Sequence, residues 1–135
     1  MRVVIDPNVL VSALINPYGA PARVVELLIT GQVVAVVTQE LLDELTFVLV
    51  RPKFRRWIPI AEAVSFSEEL AAYADLRTAP GPSTRRLRDP DDDYLVALAE
   101  SADAVIVTGD ADILDAGLSP LAITPHQLLE LINNR

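Results

Sequence analysis

Short, uniformly apolar runs alternate along the chain with longer stretches in which apolar residues recur every three or four positions. The first pattern predicts buried strands and the second amphipathic helices. Arg2 to Ile5 is a β-branched run, a strand ending at Asp6, and Pro7 stands where a helix begins without loss of a needed N–H. Pro21 to Thr30 reads as a helix with apolar Val24, Val25, Leu27 and Leu28, stopped by Gly31. Val33 to Val37 is a second strand, and Thr38 caps a helix running to about Val50. A long helical region is expected from Pro59 to about Leu76, with a break near Ser65 to Ser67, and a shorter helix from about Asp92 to Ser101. Ala104 to Val107 and Leu121 to Ile123 complete the strands. Thr124, Pro125 and Gln127 form a capping box with proline at the first position of the last helix.

Strands apolar on both faces, alternating with helices, predict an α/β fold whose central, mostly parallel sheet is flanked by helices. There is no internal repeat or low-complexity tract, and the loop-like stretch from Thr78 to Pro90 lies within the unit, so residues 1–135 read as a single domain. No apolar run approaches the ~20 residues of a membrane span, and MRVVIDPN lacks the pattern of a signal peptide. The expectation is a cytoplasmic protein with no membrane partner.

Composition narrows the chemistry. With no cysteine and one histidine, disulfides, thiolate nucleophiles and the usual zinc sites drop out, and any metal must be held by oxygen. The net charge of −8 argues against a nucleic-acid partner until its distribution is considered. Seven of the eleven basic residues fall in two short stretches, Arg51, Lys53, Arg55 and Arg56, then Arg85, Arg86 and Arg88. These clusters are candidates to hold a nucleic-acid backbone, with Phe54 and Trp57 offering faces for bases. A solvated loop with a half-buried aromatic is an equal alternative.

In an open parallel sheet, ligands collect outside the carboxyl ends of the strands. Asp6 and Asp110 each follow a strand. On the helix after Thr38, Glu44 borders the apolar stripe of Leu41, Leu42, Leu45, Val48 and Leu49, whereas Glu40 and Asp43 lie farther round. Asp89, Asp91, Asp92 and Asp93 precede the apolar run 95–99, where capping accounts for at least two of the four. Capping does not explain so many acids beside two strand-end acids. Their mutual repulsion is relieved by a cation, and carboxylates alone suit Mg²⁺ or Mn²⁺. Such an ion activates water and neutralises charge at a phosphodiester. Asn8 and Thr108 are candidates to orient carboxylates. His126, in the first turn of the last helix, reads as a surface residue.

Two other classes fit less well. Asp89, Asp91, Asp93 and Glu100 match positions 1, 3, 5 and 12 of a calcium-binding EF-hand loop, but Tyr94 stands where the turn demands Gly. A phospho-accepting receiver domain needs an acid after a middle strand and a late Lys; Thr38 follows the second strand and the only Lys is Lys53.

With these residues assembled, the chain resembles a PIN domain, in particular the VapC-like toxins of bacterial and archaeal toxin–antitoxin systems. The blocks VVIDPNVLVSALI, TQELLDELTFVLVRPKF and RDPDDDYLVALAESADAVIVTGDADIL carry the resemblance over nearly the whole chain. It implies metal ligands at Asp6, Glu44, Asp92 and Asp110, with Asp112 as an accessory acid and Asp93 as a structural neighbour or alternative to Asp92. Pro7 departs from the hydroxyl residue usual after the first acid. The resemblance further implies a Rossmann-like fold, Mg²⁺- or Mn²⁺-dependent cleavage of RNA, frequent homodimers and a small antitoxin partner. A catalytically silent protein that binds RNA or an antitoxin is the alternative.

Overall fold

The computed structural model describes residues 1–81, 92–117 and 122–134. Val3, Val4 and Ile5 are β-branched and buried, which suits them to a strand covered on both faces, and they form β1 (Arg2–Ile5). Pro7 starts α1 (Pro7–Ile15), whose N-cap is Asp6. There follow α2 (Ala20–Ile29), β2 (Val34–Val37) and α3 (Gln39–Leu49). Gly31 ends α2 in the left-handed region, with φ of 77°, and Thr38 Oγ1 caps α3 by accepting from Leu41 N at 3.2 Å. A 3₁₀ turn (Pro52–Phe54) leads to α4 (Ile60–Tyr73) and β3 (Asp75–Leu76). The remainder comprises α5 (Asp93–Ala102), β4 (Val105–Val107), α6 (Ala111–Leu114), β5 (Ala122–Ile123) and α7 (Pro125–Asn133).

The five strands are all parallel, in the order β3-β2-β1-β4-β5. Ile5 pairs with Val107, so β1 and β4 end level with each other at the centre of the sheet. The chain reverses its direction of winding between these two strands, and such a reversal opens a crevice at the strands' carboxyl ends. Helix α5 packs across β1, β2 and β4, while α1 lies against α2 and α3, and α2 against α7. Leu10, Leu41, Leu45, Leu49, Leu95 and Leu98 anchor this packing, each at most 1% exposed. Truncating any of them to Ala costs about 2–5 kcal/mol. Among the described residues no helix is long and apolar enough to cross a membrane.

Two sequence expectations change. Helix α4 is unbroken at Ser65 to Ser67, because buried Ser67 points its hydroxyl at Thr46 Oγ1 (2.8 Å) and ties α4 to α3. The helix stops at Tyr73 rather than Leu76, since Asp75 and Leu76 join the sheet edge in register with Val36 and Val37. Asp75 is clamped there by Arg2 and Arg77, each at 3.1 Å. Finally, Leu121 lies outside the described residues, as do Arg85, Arg86, Arg88, Asp89 and Asp91.

Candidate active site

The core of the site is a buried hydroxyl. Thr108, fully buried just past β4, donates from Oγ1 to Asp6 Oδ2 at 2.8 Å and accepts from the Asp110 N–H at 3.0 Å. One side chain thus fixes the carboxylate after β1 and the backbone that carries the acid after β4. Asp6 is only 5% exposed, and a charge so deeply placed must be hydrogen-bonded. Its Oδ1 accepts from Asn8 N at 3.0 Å, so the same carboxylate caps α1. Asp110 repeats the device at α6, accepting on Oδ1 from Asp112 N at 2.8 Å, and is itself half-buried. Asp112 lies exposed in the first turn of that helix.

Glu44 and Asp92 reach the site through an aromatic intermediary. The Tyr94 hydroxyl, on α5, donates to Glu44 Oε2, on α3. Burial raises the Tyr94 pKa well above its ordinary value, and the hydrogen bond to Glu44 raises it further, as do the negative charges of Glu44, Asp6 and Asp92. Three of the four expected acids therefore act on a single phenol. Asp92 occupies the N-cap position of α5, yet its side chain makes no capping bond to that helix, so capping is not what holds it there. Of the pair Asp92 and Asp93, Asp92 is the acid whose charge acts on Tyr94. Glu44 is exposed and turned toward the phenol rather than into the interior.

The donors match a hard divalent cation in kind: they are carboxylates throughout, with no thiolate in the chain. Their spacing is wider. Among the described residues no three acids stand close enough to hold one ion jointly. Asp6, Glu44 and Asp110 are instead each satisfied by a neutral donor of the protein, from Thr108, Tyr94 or a backbone N–H. Without a counter-charge, like charges are more stable held apart in this way.

Beside Asp6 and Asp110 opens a cleft of about 610 Å³, bounded by the starts of α1, α2 and α7, with His126 on its rim. Sequence reading set His126 aside as a surface residue. It is exposed, as expected, but stands at the mouth of this cleft. Tyr94 was also missed as a functional residue; its position two residues after Asp92 in the sequence was the available signal.

Of the first basic cluster, Arg51, Lys53 and Arg56 are exposed and each lies over an aromatic ring: Arg51 over Phe47 at 5.6 Å, Lys53 over Phe54 at 5.1 Å, and Arg56 over Trp57 at 4.8 Å. Phe47 and Trp57 are themselves 68% and 50% exposed, whereas Phe54, expected to offer a face for bases, is buried. Arg55 differs. Its guanidinium turns inward to donate to Leu49 O and Arg51 O at the end of α3, and its Nε and Nη1 are buried without a hydrogen-bond partner. That placement suits a helix cap rather than an RNA contact.

Comparison with known proteins agrees with this architecture. The family model described as PIN domain matches residues 2–112. The uncharacterized protein MJ1680 of Methanocaldococcus jannaschii is 32% identical over 116 residues, which cover 84% of this chain and 74% of that protein. No solved structure matches significantly. The five-stranded parallel sheet with acids at its carboxyl edge is a nuclease-type fold, and the matched family spans β1 to the first turn of α6. This chain belongs to the PIN-domain family.

Proposed function

We propose that the protein is a Mg²⁺- or Mn²⁺-dependent endoribonuclease, the toxin of a toxin–antitoxin module. The observation that carries this reading is that acids from four separated segments are linked through two side chains. Asp6 and Asp110 are tied to Thr108, while Glu44, Asp6 and Asp92 all act on Tyr94. Acids linked in this way repel one another unless a cation draws them together, and a strand-end crevice is where such a fold binds ligands.

In this reading Asp6, Glu44, Asp92 and Asp110 hold the cation, with Asp112 as an accessory acid and Asp93 as a structural neighbour. When bound, the cation supplies Lewis-acid activation of water and charge neutralisation at the phosphodiester. The chain's own contribution is orientation. Thr108 and the Asn8 N–H fix both oxygens of Asp6, so its carboxylate cannot rotate away. Tyr94 holds Glu44 beside the edge, and the Asp112 N–H holds Asp110. Arg51, Lys53 and Arg56 bind backbone phosphates, and the exposed rings of Phe47 and Trp57 take bases. Arg85, Arg86 and Arg88 are assigned the same backbone role on sequence grounds. A small antitoxin and a homodimer complete the expected assembly, in the cytoplasm.

The experiment is direct. Purified protein is incubated with single-stranded RNA in Mg²⁺, in Mn²⁺ and in EDTA. Cleavage only with the cations supports the proposal, and cleavage in EDTA overturns it. The spacing of the acids favours a second reading, a silent PIN protein that binds RNA or an antitoxin without cutting. A crystal soaked in Mn²⁺ separates the two: anomalous density among the four acids supports the nuclease, and its absence at millimolar Mn²⁺ supports the silent form.

A further inference from the structure

The cleft beside Asp6 and Asp110 has features that cation binding does not require. Glu44, Tyr94 and Asp92 are not among its walls. Its walls run instead from Asp6 and Asp110 to the starts of α2 and α7. At about 610 Å³ it falls within the ~300–1,000 Å³ typical of small-molecule pockets. Val9, Pro21 and Pro125 give it apolar walls, while Asn8, Ser12 and His126 stand exposed at its rim. Apolar walls with a few convergent polar groups suit a flat, partly polar ligand.

The charge of the floor selects among the parts of a nucleotide. Asp6 and Asp110 repel a phosphate placed deep in the cleft but not a neutral base or ribose. The rim supplies what those neutral groups need. A neutral imidazole offers one donor and one acceptor, and the Asn8 amide offers both as well. Ser12 Oγ donates to Asn8 O at 3.0 Å, which leaves its lone pairs free to accept from a ribose hydroxyl or a base amino group.

We propose that this cleft is a nucleoside subsite, which takes one unpaired nucleotide base-inward between the starts of α2 and α7 and, once a cation offsets the charge of Asp6 and Asp110, sets the adjoining phosphodiester against them. The assignment rests on the ribonuclease reading only for its orientation; the capacity to take a base does not depend on cleavage. An unpaired strand is required, because a base held in a duplex cannot turn into a cleft walled by three helix starts. Occupancy by a base and occupancy by a phosphate alone make different demands on the walls, so they are separable.

His126 is the only histidine in the chain, so its ring protons give isolated signals in a proton NMR spectrum. Nucleoside 5′-monophosphates are titrated into the metal-free protein at constant pH, in parallel with ribose 5-phosphate and inorganic phosphate. A short single-stranded RNA and the same RNA annealed to its complement are compared in the same way. The expected result is a saturable shift of the His126 signals with the nucleotides and the single strand, but not with the sugar phosphate, phosphate or duplex. Ser12→Tyr, which fills the cleft from an exposed position of α1, is expected to weaken the nucleotide response at least tenfold with an unchanged melting temperature. An equal response to ribose 5-phosphate, or none to nucleotides at millimolar concentration, overturns the subsite. Cleavage assayed on the same samples keeps the two ideas apart. RNA cut without a nucleotide response removes the subsite and leaves the nuclease, whereas a response without cutting does the reverse.

Discussion

Thr108 and Asp6 are joined by a 2.8 Å hydrogen bond between residues 102 positions apart in the chain, and neither side chain has appreciable access to solvent. The hydroxyl is already oriented, because it also accepts from the Asp110 N–H. Replacing Thr108 with Val keeps the shape and removes both bonds. A hydrogen bond to a buried charge contributes about 1.5–3 kcal/mol, so Thr108→Val is expected to lose that much stability in urea unfolding, together with most RNA cleavage. A loss below about 0.5 kcal/mol, the ordinary range of surface changes, shows that the hydroxyl does not hold the carboxylate.

Asp110→Asn tests the repulsion among the acids. Asparagine caps a helix about as well as aspartate, so the bond to Asp112 N survives while one negative charge goes. Cleavage is expected to fall to background, and the metal-free melting temperature to hold or rise. A clear drop in that temperature favours capping as the whole role of Asp110. Asp6→Asn is less clean, since an amide nitrogen replaces one of two oxygens that both accept hydrogen bonds. It should abolish activity and also lower stability.

The raised pKa of Tyr94 has a defined consequence in alkali. In the unfolded chain the phenol ionises near its ordinary value of 10.0, whereas in the folded, metal-free protein it stays protonated well above that. The contribution of Tyr94 to stability is therefore fully present below about pH 10 and is lost as pH rises further. Tyr94→Phe should flatten this alkaline fall in unfolding free energy. The difference in absorbance at 295 nm between wild type and variant should show no phenolate from Tyr94 until the protein unfolds. A phenolate signal from folded protein near pH 10 contradicts the burial and the contact with Glu44.

The exposed cations and the inward arginine should separate in binding experiments. For single strands the logarithm of affinity falls against that of salt by about 0.7 per phosphate neutralised. Substituting Arg51, Lys53 and Arg56 together by Ala is expected to reduce that slope by about 2, with melting little changed. Arg55→Gln should leave the slope as it is, because its guanidinium faces the carbonyls of Leu49 and Arg51. An Arg55 variant that lowers the slope as much as Arg51→Ala places this side chain on the RNA after all.

The centre of the fold was readable in the sequence because its signals are local and strong. Strands β2 and β4 are apolar throughout and β1 is so after Arg2, and Thr38, Thr124 and Gly31 act on groups within a few residues of themselves. Strand β3 was not readable, for two residues carry no period, and Leu76 is 54% exposed where a core strand would bury it. The strand-end acids were legible from the rule that a parallel sheet binds ligands at its carboxyl edge. The partnership of Tyr94 with Glu44 was not, since it depends on how α3 and α5 lie against each other across 50 positions of sequence. The inward turn of Arg55 was hidden for a similar reason. Its spacing from Arg51, Lys53 and Arg56 falls in and around a 3₁₀ turn, where no helical or strand period tells inside from outside.

Strand β1 is made well before its neighbour β4, with β2 and β3 between them in the chain. A growing polypeptide that has reached the end of α5 already carries Asp6, Glu44 and Asp92, yet it lacks Thr108 and β4, which flanks β1 on the side away from β2. Asp6 therefore gains its Thr108 partner only after β4 has been made. A fragment cut short before β4 leaves Asp6 without its buried hydroxyl partner, so the site is completed only once both central strands are present.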